Sequence, residues 1–436
     1  MKNGSAISGF HKLGIDRRLK IVKRFAKLDE RDLKLLKSNA LPLKTADMMV
    51  ENVVGTTQLP LGLGMNFLIN GRDYMVPMAL EEPSVIAAAS HAAKLARPTG
   101  GFIASSDEPL MIGQIQLTGI KKLKKAKKNI LKNRERIKEI ANKQDSAIIE
   151  LGGGVKDVDA KIIKTKNGKM LIVHLIVDVR DAMGANIVNT MCESVSPLLE
   201  ELTGGKTCLR IVSNLASKRM AMARAVWNKY LIGEDVVDGI LKAYAFAEAD
   251  PYRCATHNNG IMNGIDAVLI ATGNDFRAVE AGAHAYASNA GSYCSLTHYK
   301  KDKHGNLVGS IELPLAVGIV GGATKTHPVA NVSLKILGVS SAQELTCVIA
   351  SVGLAQNFAA LRALAKEGIQ KGHMELHANN IAVIAGAKGG MIERISKKLV
   401  KEKNISVARA RELLRKVFRR KKKITETKKI KVRVRK

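Results

Sequence analysis

Between residues 110 and 214 the chain follows an order of elements that few folds accommodate. LMIGQIQLTGI (110–120) reads as a strand, 122–150 as one long basic helix, and 158–179 as a hairpin turning at Asn167-Gly168. Residues 184–202 read as a helix closed by Gly204-Gly205, and CLRIVSN (208–214) as a strand. The order β-α-β-β-α-β is that of the split βαβ or ferredoxin-like unit. Before it lie two short amphipathic helices over 18–40, apolar strands around an Asn70-Gly71 turn, and a helix beginning near Pro83. After it, apolar helices alternate with Gly-rich connections such as LPLAVGIVGGATKTHP (313–328). The small unit is therefore expected to be inserted in a larger one, giving an α+β chain. From about Lys371 the composition shifts to a small-residue loop and then a basic helical tail, a third and mobile element.

At 436 residues, 46% hydrophobic and 25% charged, the chain can bury two or three compact units. No apolar run reaches the roughly 18 residues of a membrane span, and the N-terminus has no apolar signal-peptide core, so a cytoplasmic protein without a membrane segment is expected. Five scattered cysteines, with no C-x-x-C pair, indicate neither a disulfide framework nor a zinc site, and no metal is expected. The net charge of +31 is uneven: 121–138 carries ten basic residues against Glu135, and 391–436 carries twenty against four glutamates. Such runs can attract nucleic acid, but only Phe418 interleaves an aromatic in the tail, so solvated lysine-rich faces are the simpler reading and specific nucleic-acid binding is not expected.

Thr256–Ala287, THNNGIMNGIDAVLIATGNDFRAVEAGAHAYA, packs amides, glycines and Asp275 more densely than a core needs, which is how a site is built. DAMGAN (181–186) lies between a strand and a helix, where backbone amides and the helix dipole can cradle a pyrophosphate; a tight turn with an Asp cap explains the same residues. The fingerprint G-x-G-x-x-G is absent from any strand-turn-helix context, which argues against a doubly wound nucleotide domain.

Eleven segments, among them ENVVG (51–55), NGRDYMVPMALEEPSVIAAAS (70–90), LGGGVKD (151–157), LIVDVRDAMGANIVNTM (175–191), DPYRCATHN (250–258), GIMNGID (260–266), VGGATKTHP (320–328) and EGIQKGHMELHANNIA (367–382), resemble class II 3-hydroxy-3-methylglutaryl-coenzyme A (HMG-CoA) reductases in order and spacing. The resemblance spans almost the whole chain. It implies a large acyl-CoA-binding domain in two parts (1–108 and 216–368), an inserted ferredoxin-like dinucleotide domain (109–215) and a C-terminal flap with a basic tail (369–436). It further implies a homodimer with sites at the subunit interface, or a hexamer, that interconverts HMG-CoA and mevalonate plus coenzyme A with a nicotinamide cofactor.

By the same resemblance Glu82 is the proton donor, Asp275 the centre of the hydrogen-bond network and His373 the flap histidine that protonates the departing thiolate. Read from the residues alone, these are a first-turn carboxylate, a helix N-cap and a loop histidine. Ser84, Arg253, Asn263 and Asn214 correspond to residues around the acyl portion, with Arg253 suited to bidentate pairing with its carboxylate. Asp181, Met183, Gly184, Ala185, Asn186, Gly321 and Gly322 correspond to the dinucleotide site. Asp145 corresponds to the aspartate that accepts from the adenosine ribose 2′-hydroxyl, so NADH is expected over NADPH; an exposed Asp late in a basic helix is the plain alternative. Asn259 stands where the family has its catalytic lysine, and Asn379 where a basic residue is common. Lys325 or Lys218 is then needed to supply the charge, or the thioester step is slow; a catalytically impaired acyl-CoA-binding homologue is the alternative function.

Overall fold

The computed structural model describes residues 4–38, 41–366 and 369–417; the side chains of 369–376 lie outside the described set, as does the tail beyond Val417. The N-terminal stretch forms helices α1 (Ile15–Ala26), α2 (Glu30–Lys37) and α3 (Leu43–Met49), the last not anticipated from the sequence. Strands β1 (Leu61–Ile69) and β2 (Arg72–Ala79) then pair antiparallel through Asn70 and Gly71, both in the left-handed region the tight turn requires. Helix α4 (Val85–Ala96) starts three residues beyond Glu82, so that carboxylate is not in its first turn as expected. Strand β3 (Phe102–Ser106) follows.

The stretch that follows is β4 (Leu110–Thr118), α5 (Leu123–Lys132), α6 (Arg134–Asn142), α7 (Ser146–Glu150), β5 (Gly154–Thr165), β6 (Gly168–Asp178), α8 (Ala185–Thr203) and β7 (Lys206–Val212). The expected long basic helix is thus three helices. Asn133 bonds back to the Asn129 carbonyl at the first break, and Asp145 caps the third helix at the Ile148 amide, both polar side chains competing with the continuing helical ladder. The strands form one sheet in the order β5-β6-β4-β7. Met111, Ile115 and Leu117 of β4, with Val173, Leu175 and Val177 of β6, meet Ile130, Ile137, Val188 and Val195 of the helices in one core. Gly113 allows that approach: a Cβ there would lie 2.4 Å from Cys192 Sγ.

After β8 (Met220–Trp227) come α9 (Lys229–Ile232), α10 (Glu234–Ala249), α11 (Pro251–Ala271), α12 (Phe276–Ala287), β9 (Thr297–Lys301), β10 (Leu307–Pro314), α13 (Gly322–Thr326), α14 (Pro328–Leu337) and α15 (Ala342–Lys366). The second sheet runs β2-β1-β3-β8-β10-β9. Trp227 stacks flat on Phe358 of α15 at 3.9 Å between ring centroids and meets Phe102 edge-on. α15 is long and apolar enough to cross a membrane, yet Leu345, Val348, Ile349, Val352, Leu354 and Phe358 are all buried in this core.

The chain divides into a unit of residues 1–81 and 85–361, and a second of 82–84 with 362–436. In the second, the segment read as a small-residue loop is helical: α16 (Ile369–Ile384) and α17 (Gly390–Lys401) are followed by helix over 407–417. Ala378, Ala382, Ile395, Leu399, Ala410, Leu413 and Leu414 form its core. Small residues on α16 let neighbouring helices approach rather than breaking the helix.

Candidate functional site

A cleft of about 640 Å³ opens between three glycine-containing turns of the first unit. One wall, Ala182–Ile187, is the turn from β6 into α8, entered through Gly184 at φ 97°. The second, Gly318 and Val320–Thr324, follows β10; the third, Ile270 and Gly273–Arg277, joins α11 to α12. The first amides of a 19-residue helix therefore face the cleft with the positive end of its dipole, a setting for an anion.

The turns are locked to one another. A Cβ on Gly318 would lie 2.5 Å from the Met183 nitrogen, so only glycine permits this approach. The Ile319 amide donates to the Asp181 carbonyl (2.9 Å) and the Gly318 amide to Asn274 Oδ1 (2.8 Å). Arg219, 1% exposed, donates to the carbonyls of Ala182, Met183 and Val317. Burial pushes its guanidinium down to about 10, with Asp178 and Asp181 opposing, so it stays cationic at neutral pH behind the cradle. Neither Arg219 nor Arg277 emerged from the sequence reading, because their roles depend on carbonyls and a cleft brought from other segments.

Met183, Gly184, Ala185, Asn186, Gly321, Gly322 and Asp275 line this one cleft. Asp181 does not: its Oδ1 accepts the Ala342 amide at 2.7 Å, capping α15 and fixing the turn from behind. Asp275 caps α12 at the Ala278 amide (3.1 Å) and pairs with Arg277 at 3.2 Å, whose guanidinium lies over the Phe276 ring. The cation beside Asp275 is thus an arginine two residues on.

Arg253, Asn259 and Asn263 lie on α11 and do not line the cleft. Arg253 sits in the first turn, half-buried, and burial lowers its guanidinium below the usual value. Asn259 and Asn263, four residues apart, are exposed on one helix face. Asn214 is exposed between β7 and β8, its carbonyl so close to α12 that a Cβ on Gly282 would meet it at 2.4 Å. Lys218 and Lys325 are exposed. Asp145 is the N-cap of α7, Oδ1 accepting the Ile148 amide at 3.0 Å.

In the second unit Glu82 Oε1 accepts from the Ser84 amide (3.2 Å) and hydroxyl (2.6 Å), and His377 Nε2 lies 3.7 Å from it. His377 was missed in the sequence, although it stands one helical turn after His373. The backbone of His373 is in α16, and its side chain lies outside the described residues; Asn379 is exposed on the same helix. Among the described residues no three His, Cys, Asp or Glu side chains come together as metal ligands.

Four similarities bear on this arrangement. Residues 14–378 match the family model for hydroxymethylglutaryl-coenzyme A reductase. The chain is 59% identical over 411 residues to the 3-hydroxy-3-methylglutaryl-coenzyme A reductase of Archaeoglobus fulgidus, covering 94% of each. It superposes on a 3-hydroxy-3-methylglutaryl-coenzyme A reductase of Streptococcus pneumoniae with a TM-score of 0.80 at 40% identity, covering 94% of this chain and 99% of that one. A class II structure from the same organism, bound to NADPH in open conformations, gives 0.79 at 40%, covering 93% and 100%.

Proposed function

The chain belongs to the hydroxymethylglutaryl-coenzyme A reductase family, and from that premise we propose how its residues divide the reduction of the HMG-CoA thioester to mevalonate and coenzyme A. It is an NAD(P)H-dependent oxidoreductase of the mevalonate pathway. The thioester takes up two hydrides: the first gives a hemithioacetal, which loses the coenzyme A thiolate to leave an aldehyde, and the second gives the alcohol. The nicotinamide, when bound, supplies each hydride.

The cleft shared by Met183–Asn186, Gly321, Gly322 and Asp275 carries the reading, because it sets amides for a pyrophosphate opposite a carboxylate. Those amides hold the dinucleotide, with Arg277 at the rim and Arg219 behind adding positive potential. Asp275 orders the hydrogen bonds at the reacting carbon. Arg253 pairs with the free carboxylate of the acyl group, and Asn263, Asn214 and Ser84 hold its polar atoms. Asn259 donates its amide hydrogen to the thioester oxygen as charge develops there. Glu82, oriented by Ser84 and His377, protonates the aldehyde-level oxygen, and His373 protonates the thiolate; imidazole suits that role because it titrates near neutrality.

The domains act as 1–108 with 216–368 for the acyl-CoA, 109–215 for the dinucleotide and 369–436 as the flap, in a cytoplasmic homodimer or hexamer. Asp145 favours NADH: a carboxylate beside the ribose accepts from a 2′-hydroxyl and repels a 2′-phosphate. The NADPH of the Streptococcus pneumoniae relative makes this a point to measure. Turnover of HMG-CoA is expected with either cofactor, with kcat/KM higher for NADH, and Asp145→Ala should shift the ratio toward NADPH. No cofactor oxidation above an enzyme-free blank would overturn the reading; a native preference for NADPH, or no shift in the variant, would overturn the role of Asp145.

A further inference from the structure

Arg219 lies in the link between β7 and β8 and is 1% exposed. A cation so deeply buried ordinarily pairs with a carboxylate, because desolvation of an unpaired charge is costly. Arg219 makes no ion pair among the described residues. Asp178 is engaged by Lys156 (3.6 Å) and Arg180 (3.1 Å), and Asp181 Oδ1 accepts the Ala342 amide. The guanidinium donates instead to three carbonyls: Nη1 to Ala182 (3.2 Å) and Met183 (3.4 Å), and Nη2 to Val317. Its own backbone is fixed, the amide donating to the Ala216 carbonyl (2.9 Å) and the carbonyl accepting the Leu315 amide (3.1 Å).

Each of those carbonyls is one end of a planar trans peptide whose N–H, on the next residue, points the opposite way. The Ala182 and Met183 carbonyls share peptides with the Met183 and Gly184 amides, which belong to the cleft wall and donate to nothing among the described residues. The Val317 carbonyl shares its peptide with the Gly318 amide, which donates to Asn274 Oδ1 at 2.8 Å. Asn274 Nδ2 donates in turn to the Thr272 hydroxyl at 3.0 Å, and Asp275 is the next residue. A donor on a carbonyl oxygen polarises the peptide and strengthens its N–H, by roughly 10–30% per bond along a chain. A charged donor does so more than a neutral one. One guanidinium thus acts through peptide planes on both walls of the cleft.

We propose that Arg219 is a positioning residue for the nicotinamide dinucleotide: from behind the turn it polarises the Met183 and Gly184 amides toward the pyrophosphate and ties them, through Gly318 and Asn274, to the wall carrying Asp275. The inference rests on the reading of this cleft as the dinucleotide site. A pyrophosphate arriving on the amide side balances a charge that no carboxylate balances in the empty fold.

Arg219→Met, Arg219→Gln and Arg219→Lys test it, read by calorimetric Kd for ADP-ribose, which carries the pyrophosphate without the nicotinamide, and for HMG-CoA, with Tm alongside. Arg219→Met should weaken ADP-ribose by about tenfold or more and leave HMG-CoA within about twofold. Arg219→Lys keeps the charge and should hold ADP-ribose within about threefold of the native protein. Arg219→Gln can donate but carries no charge; it should lose as Arg219→Met does, and it carries the test if that variant does not fold. A folded uncharged variant with native ADP-ribose affinity would overturn the proposal. Equal weakening of ADP-ribose and HMG-CoA would also overturn it, by reducing Arg219 to a structural tie, as would a loss in Arg219→Lys as large as in Arg219→Met. If the native protein binds ADP-ribose without turning over HMG-CoA, the reductase reading is what fails, and the Kd series still decides the role of Arg219.

Discussion

On the proposed assignment of the site, Asn259 holds an amide where the family's chemistry uses an ammonium. An amide can donate one hydrogen bond to an oxyanion but brings no net charge, and removing one oxyanion contact costs on the order of 10²–10³ in kcat. Its side chain is exposed on α11, and the ion pair at Asp275 is made by Arg277 across the α12 cap rather than by a lysine. Asn259→Lys is therefore expected to raise the rate of thioester reduction by about 10²-fold, and to do less for the aldehyde step assayed with mevaldehyde. An unchanged or lower thioester rate would mean that another cation already serves the oxyanion.

At the scale of elements, α11 is fastened to β9 and α15 through His257. Its Nε2 lies 2.7 Å from the Thr297 hydroxyl of β9 and 2.9 Å from the Ser295 hydroxyl, while the Asn357 side-chain nitrogen of α15 donates to the His257 carbonyl. Burial, aided by Arg253, lowers the imidazole to about 4, and its Nδ1 is buried without a partner among the described residues, so protonation would create a buried charge there with nothing among them to accept its hydrogen. In the unfolded chain the group titrates near 6.5, so the unfolded state binds the proton first as pH falls. The stability conferred by the neutral ring is full above about 6.5 and is lost progressively toward 4. Tm measured from pH 7 down to pH 4.5 should fall less steeply in His257→Gln than in the native protein, once both are normalised to their values at pH 7. Parallel curves would show that His257 does not control the acid limb.

Over the whole molecule, a single chain leaves Tyr230 (81%), Leu231 (52%), Phe246 (57%) and Tyr252 (86%) exposed across α9, α10 and the start of α11. Apolar side chains grouped so closely in sequence, on helices adjoining Asn259, are the surface that association would cover. Sedimentation at micromolar concentration is expected to give at least twice the 47.1 kDa chain mass, with Tyr252→Asp lowering both the mass and turnover. A native monomer that turns over at full rate would exclude a site completed by a second chain.

The amino-acid sequence by itself determined the local and periodic features. The βαββαβ order follows from alternation and turn residues, the β1–β2 hairpin from Asn70-Gly71, and the cap of α12 from Asp275, all consequences of interactions within a few residues. The resemblance in its motifs pointed to the reductase family, to which the chain belongs, and to Met183–Asn186, Gly321 and Gly322, which share one cleft. Only the tertiary structure decided the rest. It split residues 122–150 into three helices where Asn133 and Asp145 cap the breaks, and made the KGHM segment helical. It also turned Asp181 away from the cleft to cap α15. Such placements depend on partners brought from distant segments: the Ala342 amide for Asp181, and the carbonyls at 182, 183 and 317 for Arg219. A side chain's hydrogen-bonding capacity is written in the sequence, but its partner is chosen by the packing that brings the two together.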